Sequence, residues 1–115
     1  MAFANDIPKL ELELRKYVAE DIRENSGINP DDIKVTLKED FLLIIVRGFL
    51  LPNEVRLAET ERGPHDVKLN RFKWVCHNKD SITSRISKFL GVEIKGMFYD
   101  INQRHNIGMA VYTFE

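Results

Sequence analysis

A stripe of apolar residues at helical spacing within residues 66–91 constrains the fold more than any other feature of the chain. Its members recur at spacings of 3, 7, 4 and 3 residues, as on one face of an α-helix: Phe72, Val75, Ile82, Ile86 and Phe89. Asp66 can cap the first free N–H groups, and Gly91 stands where a left-handed residue commonly closes a helix. The pattern predicts one helix of about 25 residues, a rod about 37 Å long.

One charged residue, Lys79, interrupts this stripe where an apolar residue is expected. It belongs to a polar segment, residues 77–81, that could instead divide the stretch into two helices, with Asp80 or Ser81 capping the second. Because the stripe keeps its phase across the segment, we favour one helix.

The remaining elements surround this helix in a simple order. Asn5 or Asp6 is expected to cap a first helix, and alternating apolar residues predict strands at 33–37 and 41–49. Pro52 opens a short helix, and two further strands are expected at about 92–99 and 106–114. The order α-β-β-α-α-β-β predicts one α+β domain over residues 1–115. We expect a four-stranded, mainly antiparallel sheet with helices packed on one face, including one long helix near 66–90.

The second strand is apolar on both of its faces. Its centre reads Leu42-Leu43-Ile44-Ile45-Val46, whereas a two-layer monomer normally leaves one sheet face polar. The pattern favours either a central strand covered on both sides or a face covered by another subunit. We therefore expect a homo-oligomer, with a dimer favoured, and a protein partner.

Composition narrows the class of protein. The longest apolar run, residues 41–46, is far shorter than the roughly 18 residues that span a bilayer, and the N-terminus lacks the pattern of a secretory signal. The lone Cys76 cannot form an internal disulfide, which fits a reducing, cytoplasmic location. Residues 1–66 carry 9 Lys/Arg against 14 Asp/Glu, and residues 67–115 carry 8 against 4. The two halves therefore differ in sign, and we expect them mainly to attract each other within one fold.

No motif for catalysis, metal binding or cofactor binding is visible. None of the three histidines, His65, His77 and His105, has a second donor at ligand spacing on a helix, and the six glycines form no phosphate-binding loop. Cys76 lies at the flank of the stripe, where a half-buried, inert thiol is expected. We expect a protein that is not an enzyme, with no cofactor.

Two alternative functions remain open on sequence grounds. Cations line the long helix and aromatic residues lie between them, a combination that suits single-stranded nucleic acid: Lys68, Arg71, Lys73, Lys79, Arg85 and Lys88, with Phe72 and Trp74. These cations scatter around the helix instead of forming one face, so nucleic-acid binding is the less favoured interpretation. The other alternative is a small-molecule sensor with its pocket between sheet and helix. Trp74 is expected to be exposed at a contact surface, and Asp100 is expected to pair with Arg104 across the last hairpin.

From about residue 28 to 114 the chain resembles the MpsC-like family, named for a Na-translocating membrane-potential-generating system. The matching features run in the family's order: Arg47-Gly48-Phe49-Leu50, Pro52-x-Glu54, Gly63, Arg71, Leu90-Gly91-Val92, Tyr99-Asp100 and Phe114. The chain departs from the family pattern at Leu51, where a Thr cap is usual, and at residues 77–80, where an acidic helical segment is usual.

The resemblance implies a soluble accessory protein that is linked by name to sodium-dependent membrane transport. From the sequence as a whole we expect a non-enzymatic accessory or regulatory protein that acts by binding a partner. It implies no catalytic residue, and it marks Glu54, Arg71 and Asp100 as positions of interest. Together with residues taken from the helix and the last hairpin, the candidate partner surface comprises Glu54, Arg71, Trp74, His77, Lys79, Asp100 and Arg104.

Overall fold

The structure, a computed structural model, describes residues 6–114 and contains the seven predicted elements in the predicted order. The helices are α1 (Ile7–Ser26), α2 (Pro52–Ala58) and α3 (Gly63–Leu90), and the strands are β1 (Asp32–Leu37), β2 (Phe41–Arg47), β3 (Gly96–Asn102) and β4 (Ile107–Thr113). The α+β class and the single long helix are confirmed. No helix within residues 6–114 is both long and apolar enough to cross a membrane.

The four strands form one antiparallel sheet in the order β1-β2-β4-β3. Strand β4 therefore lies between β2 and β3, and β1 and β3 are the edges. Side chains alternate between the two faces of a strand, and the residues buried under the helices define one of them, the covered face. This face consists of Ile33, Val35 and Leu37, then Leu42, Ile44 and Val46, then Gly108, Ala110 and Tyr112, and finally Met97, Tyr99 and Ile101.

Helix α3 is continuous through the polar segment that could have divided it. It begins at Gly63, three residues before the predicted cap at Asp66, which lies in its first turn. A Cβ at Gly63 would lie 1.5 Å from the carbonyl oxygen of Leu57, so only glycine fits this close turn between α2 and α3. At the other end Gly91 takes the left-handed conformation, with φ 69°, and its N–H bonds to the carbonyl of Ser87, as predicted.

The buried stripe of α3 differs from the predicted one. Its buried residues are Val67, Val75, Ile86 and Leu90, whereas Phe89, which was assigned to the core, is 43 % exposed. With the partly buried Ile82 between Val75 and Ile86, the stripe advances in steps of four or seven residues, and Arg71 occupies the position between Val67 and Val75. Lys79 is exposed, so its charge stays in solvent and lies outside the core.

Two local predictions were wrong, and a third, the cap of α1, was met only in its position. Strand β3 begins at Gly96 instead of near residue 92, and of the residues before it Lys95 donates its N–H to the carbonyl of Thr113 on β4. Asp6 stands at the N-cap of α1 but its side chain makes no capping hydrogen bond, and the alternative cap, Asn5, lies outside the described residues. Cys76 is exposed instead of half-buried, because α3 turns that side away from the sheet.

Candidate functional site

The face of the sheet opposite the helices is apolar at its centre, mostly polar along its edge strands, and bare of any other layer of the described chain. We call it the open face. Its large side chains include Phe98, which is 64 % exposed, and Met109, which is 41 % exposed. The other apolar members are half-buried by their neighbours within the sheet: Phe41, Leu43, Ile45, Ile107 and Val111. A contiguous exposed patch of this kind is typical of an interaction surface.

Strand register arranges the centre of the open face in two rows. The charged row runs across the sheet through Lys34, Ile45, Met109 and Asp100. The apolar row, two residues along each strand, runs through Thr36, Leu43, Val111 and Phe98. The charged row thus carries a cation at the β1 edge and a carboxylate at the β3 edge, with apolar side chains between them.

On the covered side, α1 and α3 leave a groove between them above the sheet. It contains a cavity of about 180 Å³ that is open to solvent on one side and has a mostly apolar lining. Its floor comes from β2 and β4 and includes Ile44 and Ala110, while Val18 on α1 and Ile82 on α3 line its sides. The space between sheet and helix is therefore incompletely filled by side chains, as a ligand pocket there would require.

Polar groups gather around this groove. Burial raises the pKa of Asp21 above its usual range, an effect that the nearby Arg85 partly offsets. Burial also raises the pKa of Tyr99 to about 12 and raises that of Tyr112 further. Trp74 lies on the lining and is 40 % exposed, which places the single tryptophan at the mouth of the groove.

Glu54 and Arg71, two of the predicted site residues, form an ion pair that joins α2 to α3. The Glu54 carboxylate accepts hydrogen bonds from Arg71 Nε at 3.0 Å and from Arg71 Nη2, and also from the Leu51 N–H at 2.9 Å. Both side chains are largely buried, at 10 % and 18 % exposure, and the guanidinium lies 5.2 Å from the centre of the Phe49 ring. Glu54 supplies one half of a capping box at the start of α2, whose other half Leu51 cannot provide. The pair therefore has a structural role in holding two helices together.

Asp100 pairs with Lys68 of α3, at 2.8 Å, instead of with Arg104 as expected. The hydrogen bond from Lys68 and the bond from the Ile101 N–H hold the pKa of Asp100 below its usual range. Arg104 is exposed in the turn between β3 and β4. The predicted pair does not form because Asp100 lies on the edge strand β3, where Lys68 of α3 contacts it.

The remaining predicted residues lie along the exposed side of α3. His77 and Lys79 are exposed, and the Asn78 side chain donates to the carbonyl of Trp74 at 2.8 Å. The structure thus joins Glu54 with Arg71 and leaves His77, Lys79, Asp100 and Arg104 apart from that pair. Within residues 6–114 no group of three His, Cys, Asp or Glu side chains could hold a metal ion.

Sequence reasoning placed the candidate surface on α3 and the last hairpin, and it missed Phe98 and Met109 of the open face. The signal was present in the doubly apolar β2, which indicates an open face of this kind. Strand β4 is also apolar on both faces, but its pairing with β2 and with the strand that carries Phe98 is non-local, so the sequence did not show that these residues share one face.

Comparison with known proteins places the chain in a family. No curated protein and no solved structure matches it significantly. Residues 7–115, almost the whole chain, match the family described as Na+-translocating membrane potential-generating system (MpsC). The match extends the predicted resemblance to include α1, and the chain belongs to the MpsC family.

Proposed function

We propose that the protein is a cytoplasmic, non-enzymatic accessory or regulatory protein that acts by binding protein partners, in a sodium-dependent membrane transport system. The single observation that supports this most strongly is the open face. A sheet face that carries Phe98, Leu43 and Met109 without a covering layer has the composition of a subunit contact. The link to transport rests on the family's description.

The test is complementation in cells that lack their own copy of the protein. The sodium-dependent membrane potential is measured with a voltage-sensitive dye after return of the wild type or of the double variant Phe98→Glu, Met109→Glu. We expect the wild type to restore the potential and the double variant to fail, because two carboxylates on the open face prevent its burial against any partner.

A matched control adds the same charge to an exposed apolar residue elsewhere. Leu69 on α3 is 46 % exposed, and Leu69→Glu should restore the potential as the wild type does. Full restoration by the folded open-face variant, with folding verified by circular dichroism, would contradict the proposal.

The groove between α1 and α3 favours a second candidate, a sensor for a small apolar ligand. A cavity of about 180 Å³ accommodates an apolar molecule of about the size of benzene. Trp74 at its mouth provides the readout, since a ligand in the groove changes the fluorescence of the chain's one tryptophan. Titration with toluene should shift the emission of the wild type, and Ala110→Leu, which fills the floor, should abolish that shift. An unchanged wild-type spectrum at saturating toluene counts against this candidate.

Nucleic-acid binding receives less support from the arrangement of charges. Two of the six cations on α3 already have partners, since Lys68 pairs with Asp100 and Arg71 with Glu54. Phosphate contacts strengthen as the salt concentration falls. This alternative therefore predicts a measurable affinity for single-stranded RNA at about 50 mM salt, and a decline of that affinity as salt is added.

A further inference from the structure

The apolar centre of the open face is not covered by the described chain. The positions of its charged residues indicate which partner binds it. We propose that the open face binds the open face of a second copy of this chain, in a two-fold dimer whose axis runs parallel to the strands. This rests on the proposed function, because it names one occupant of the surface that supports that function.

The size of the face suits a subunit contact. Four strands about 4.8 Å apart and seven residues long at about 3.4 Å each cover roughly 450 Å² in plan, and more when the relief of the side chains is included. Two copies then remove on the order of 1,000–1,400 Å² of accessible surface, which reaches the lower range of specific protein interfaces. A sheet packed on a sheet in this way forms a sandwich, an arrangement common among stable antiparallel sheets.

The order of the strands makes the face complementary to itself. A two-fold axis parallel to the strands, between β2 and β4, exchanges the two halves of the sheet. Strand β1 of one copy then lies over β3 of the other, and β2 lies over β4. In the apolar row Leu43 faces Val111 of the second copy, and the protruding Phe98 faces the small Thr36.

The same axis matches the charges. Lys34 and Asp100 stand at opposite ends of the charged row, at the same level along the strands. The rotation therefore places Lys34 of each copy opposite Asp100 of the other, twice in the dimer. Packed sheets lie about 10 Å apart, a gap that a lysine and an aspartate together span, and their usual rotation of about 30° displaces the two by only a few ångströms.

The other way of placing the two faces together lacks this match. An axis running across the strands puts β1 over β1, and the apolar side chains overlap most when that axis lies between the charged row and the apolar row. Lys34 then faces Thr36 and enters the contact without an opposite charge, while Asp100 faces Phe98 and keeps only Lys68 of its own chain as a partner. Since an unpaired charge is costly to bury, electrostatics selects the axis parallel to the strands.

Charge reversal tests this arrangement with the full chain in analytical ultracentrifugation. The wild type should be dimeric. Lys34→Asp brings two pairs of carboxylates together, so it should weaken self-association by about tenfold or more. Asp100→Lys brings two pairs of cations together and should weaken it as much, although it also places a second cation beside Lys68 of its own chain. An equimolar mixture of the two variants should dimerise again, because every facing pair in the mixed dimer is once more of opposite charge.

The mixture is the decisive measurement, since only contacts between copies can restore dimerisation when the two variants are combined. Lys73→Asp, a charge reversal at an exposed position of α3, should dimerise like the wild type. A wild type that stays monomeric at about 100 μM, near the weak end of specific association, overturns the inference, and so does a mixture of folded variants that stays monomeric. Neither result decides the proposed function, which the complementation experiment tests separately. If the chain is a monomer, the open-face double variant would still fail to restore the potential when that face binds another protein.

Discussion

The two central strands, β2 and β4, carry apolar side chains on both faces of the sheet, yet the two faces differ in what covers them. Along β2 the side chains of Leu42, Ile44 and Val46 are buried beneath α1 and α3, at 0 %, 6 % and 9 % exposure. The intervening Leu43 and Ile45 are half-buried, with no layer of the described chain above them. The difference shows that apolar content identifies surfaces that need cover, whereas the direction in which the helices cross decides which face they cover within one chain.

The sharpest way to test this difference is a pair of identical substitutions at adjacent residues. Leu42→Ala should lower the free energy of unfolding by about 3 kcal/mol, because it opens a cavity in the closed core. Leu43→Ala should cost less than about 1 kcal/mol in the monomer, since that side chain leaves a surface that is already open. Urea denaturation at low protein concentration measures both, and equal losses would show that the open face is covered within the chain itself.

Two ion pairs of α3 allow the same comparison between a buried and an exposed position. Glu54–Arg71 is largely buried, while Lys68–Asp100 lies at the edge of the open face with side chains 37 % and 59 % exposed. Glu54→Gln should cost about 2 kcal/mol because it leaves a guanidinium without its counter-ion, and Asp100→Asn should cost about 0.5 kcal/mol or less. Thermal unfolding at neutral pH compares the two variants, and an Asp100→Asn variant that is the less stable would reverse the assignment of buried and exposed pairs.

Alkaline pH tests the covered face, because burial delays the ionisation of its two tyrosines. Burial raises the pKa of Tyr99 to about 12 and raises that of Tyr112 further, so the unfolded chain loses these protons first. Their contribution to stability is complete below about pH 10, the pKa of an unfolded tyrosine, and declines as the pH rises through the folded values. We expect a loss of about 1.4 kcal/mol per pH unit for each of the two between about pH 10 and 12.

Urea denaturation at several alkaline pH values measures this slope. Tyr99→Phe should make it shallower, by removing one of the two protons that unfolding releases. Ultraviolet absorbance of the native protein supplies an independent readout, in which two tyrosines titrate only above the ordinary range. A slope that Tyr99→Phe leaves unchanged would place that hydroxyl in solvent.

Much of this fold was accessible from the sequence because its signals are local. Periodicity identified the order of elements and the long helix, and Gly91 marked the end of that helix through its left-handed conformation. The phase of the buried stripe was missed because Arg71 occupies one of its positions, and a charge there obscures the pattern that leads to Leu90 instead of Phe89. Two residues distant in sequence, Glu54 and Phe49, make Arg71 acceptable in that position.

The candidate site was less accessible because it depends on pairing between distant strands. The apolar pattern of β2 predicted a second apolar face of the sheet. The placement of β4 between β2 and β3 cannot be deduced from the spacing of residues along the sequence. That placement brings Met109 and Phe98 beside β2 and puts Lys34 and Asp100 at one level. The partner of Asp100 was mistaken for the same reason, since Lys68 is distant in sequence and Arg104 is near.

Substitution of Phe98 should have the smallest effect on the stability of the monomer and the largest effect on dimerisation. Phe98 is the most exposed large apolar side chain on the described part of the chain, so Phe98→Glu should change the free energy of unfolding of the monomer by no more than about 0.5 kcal/mol. The same carboxylate should abolish self-association, because it would be buried opposite Thr36 of the second copy without a counter-ion. Denaturation at low concentration and light scattering at high concentration separate the two effects. If Phe98→Glu unfolds the monomer, the open face contributes to folding as the covered face does, and the distinction between the two fails.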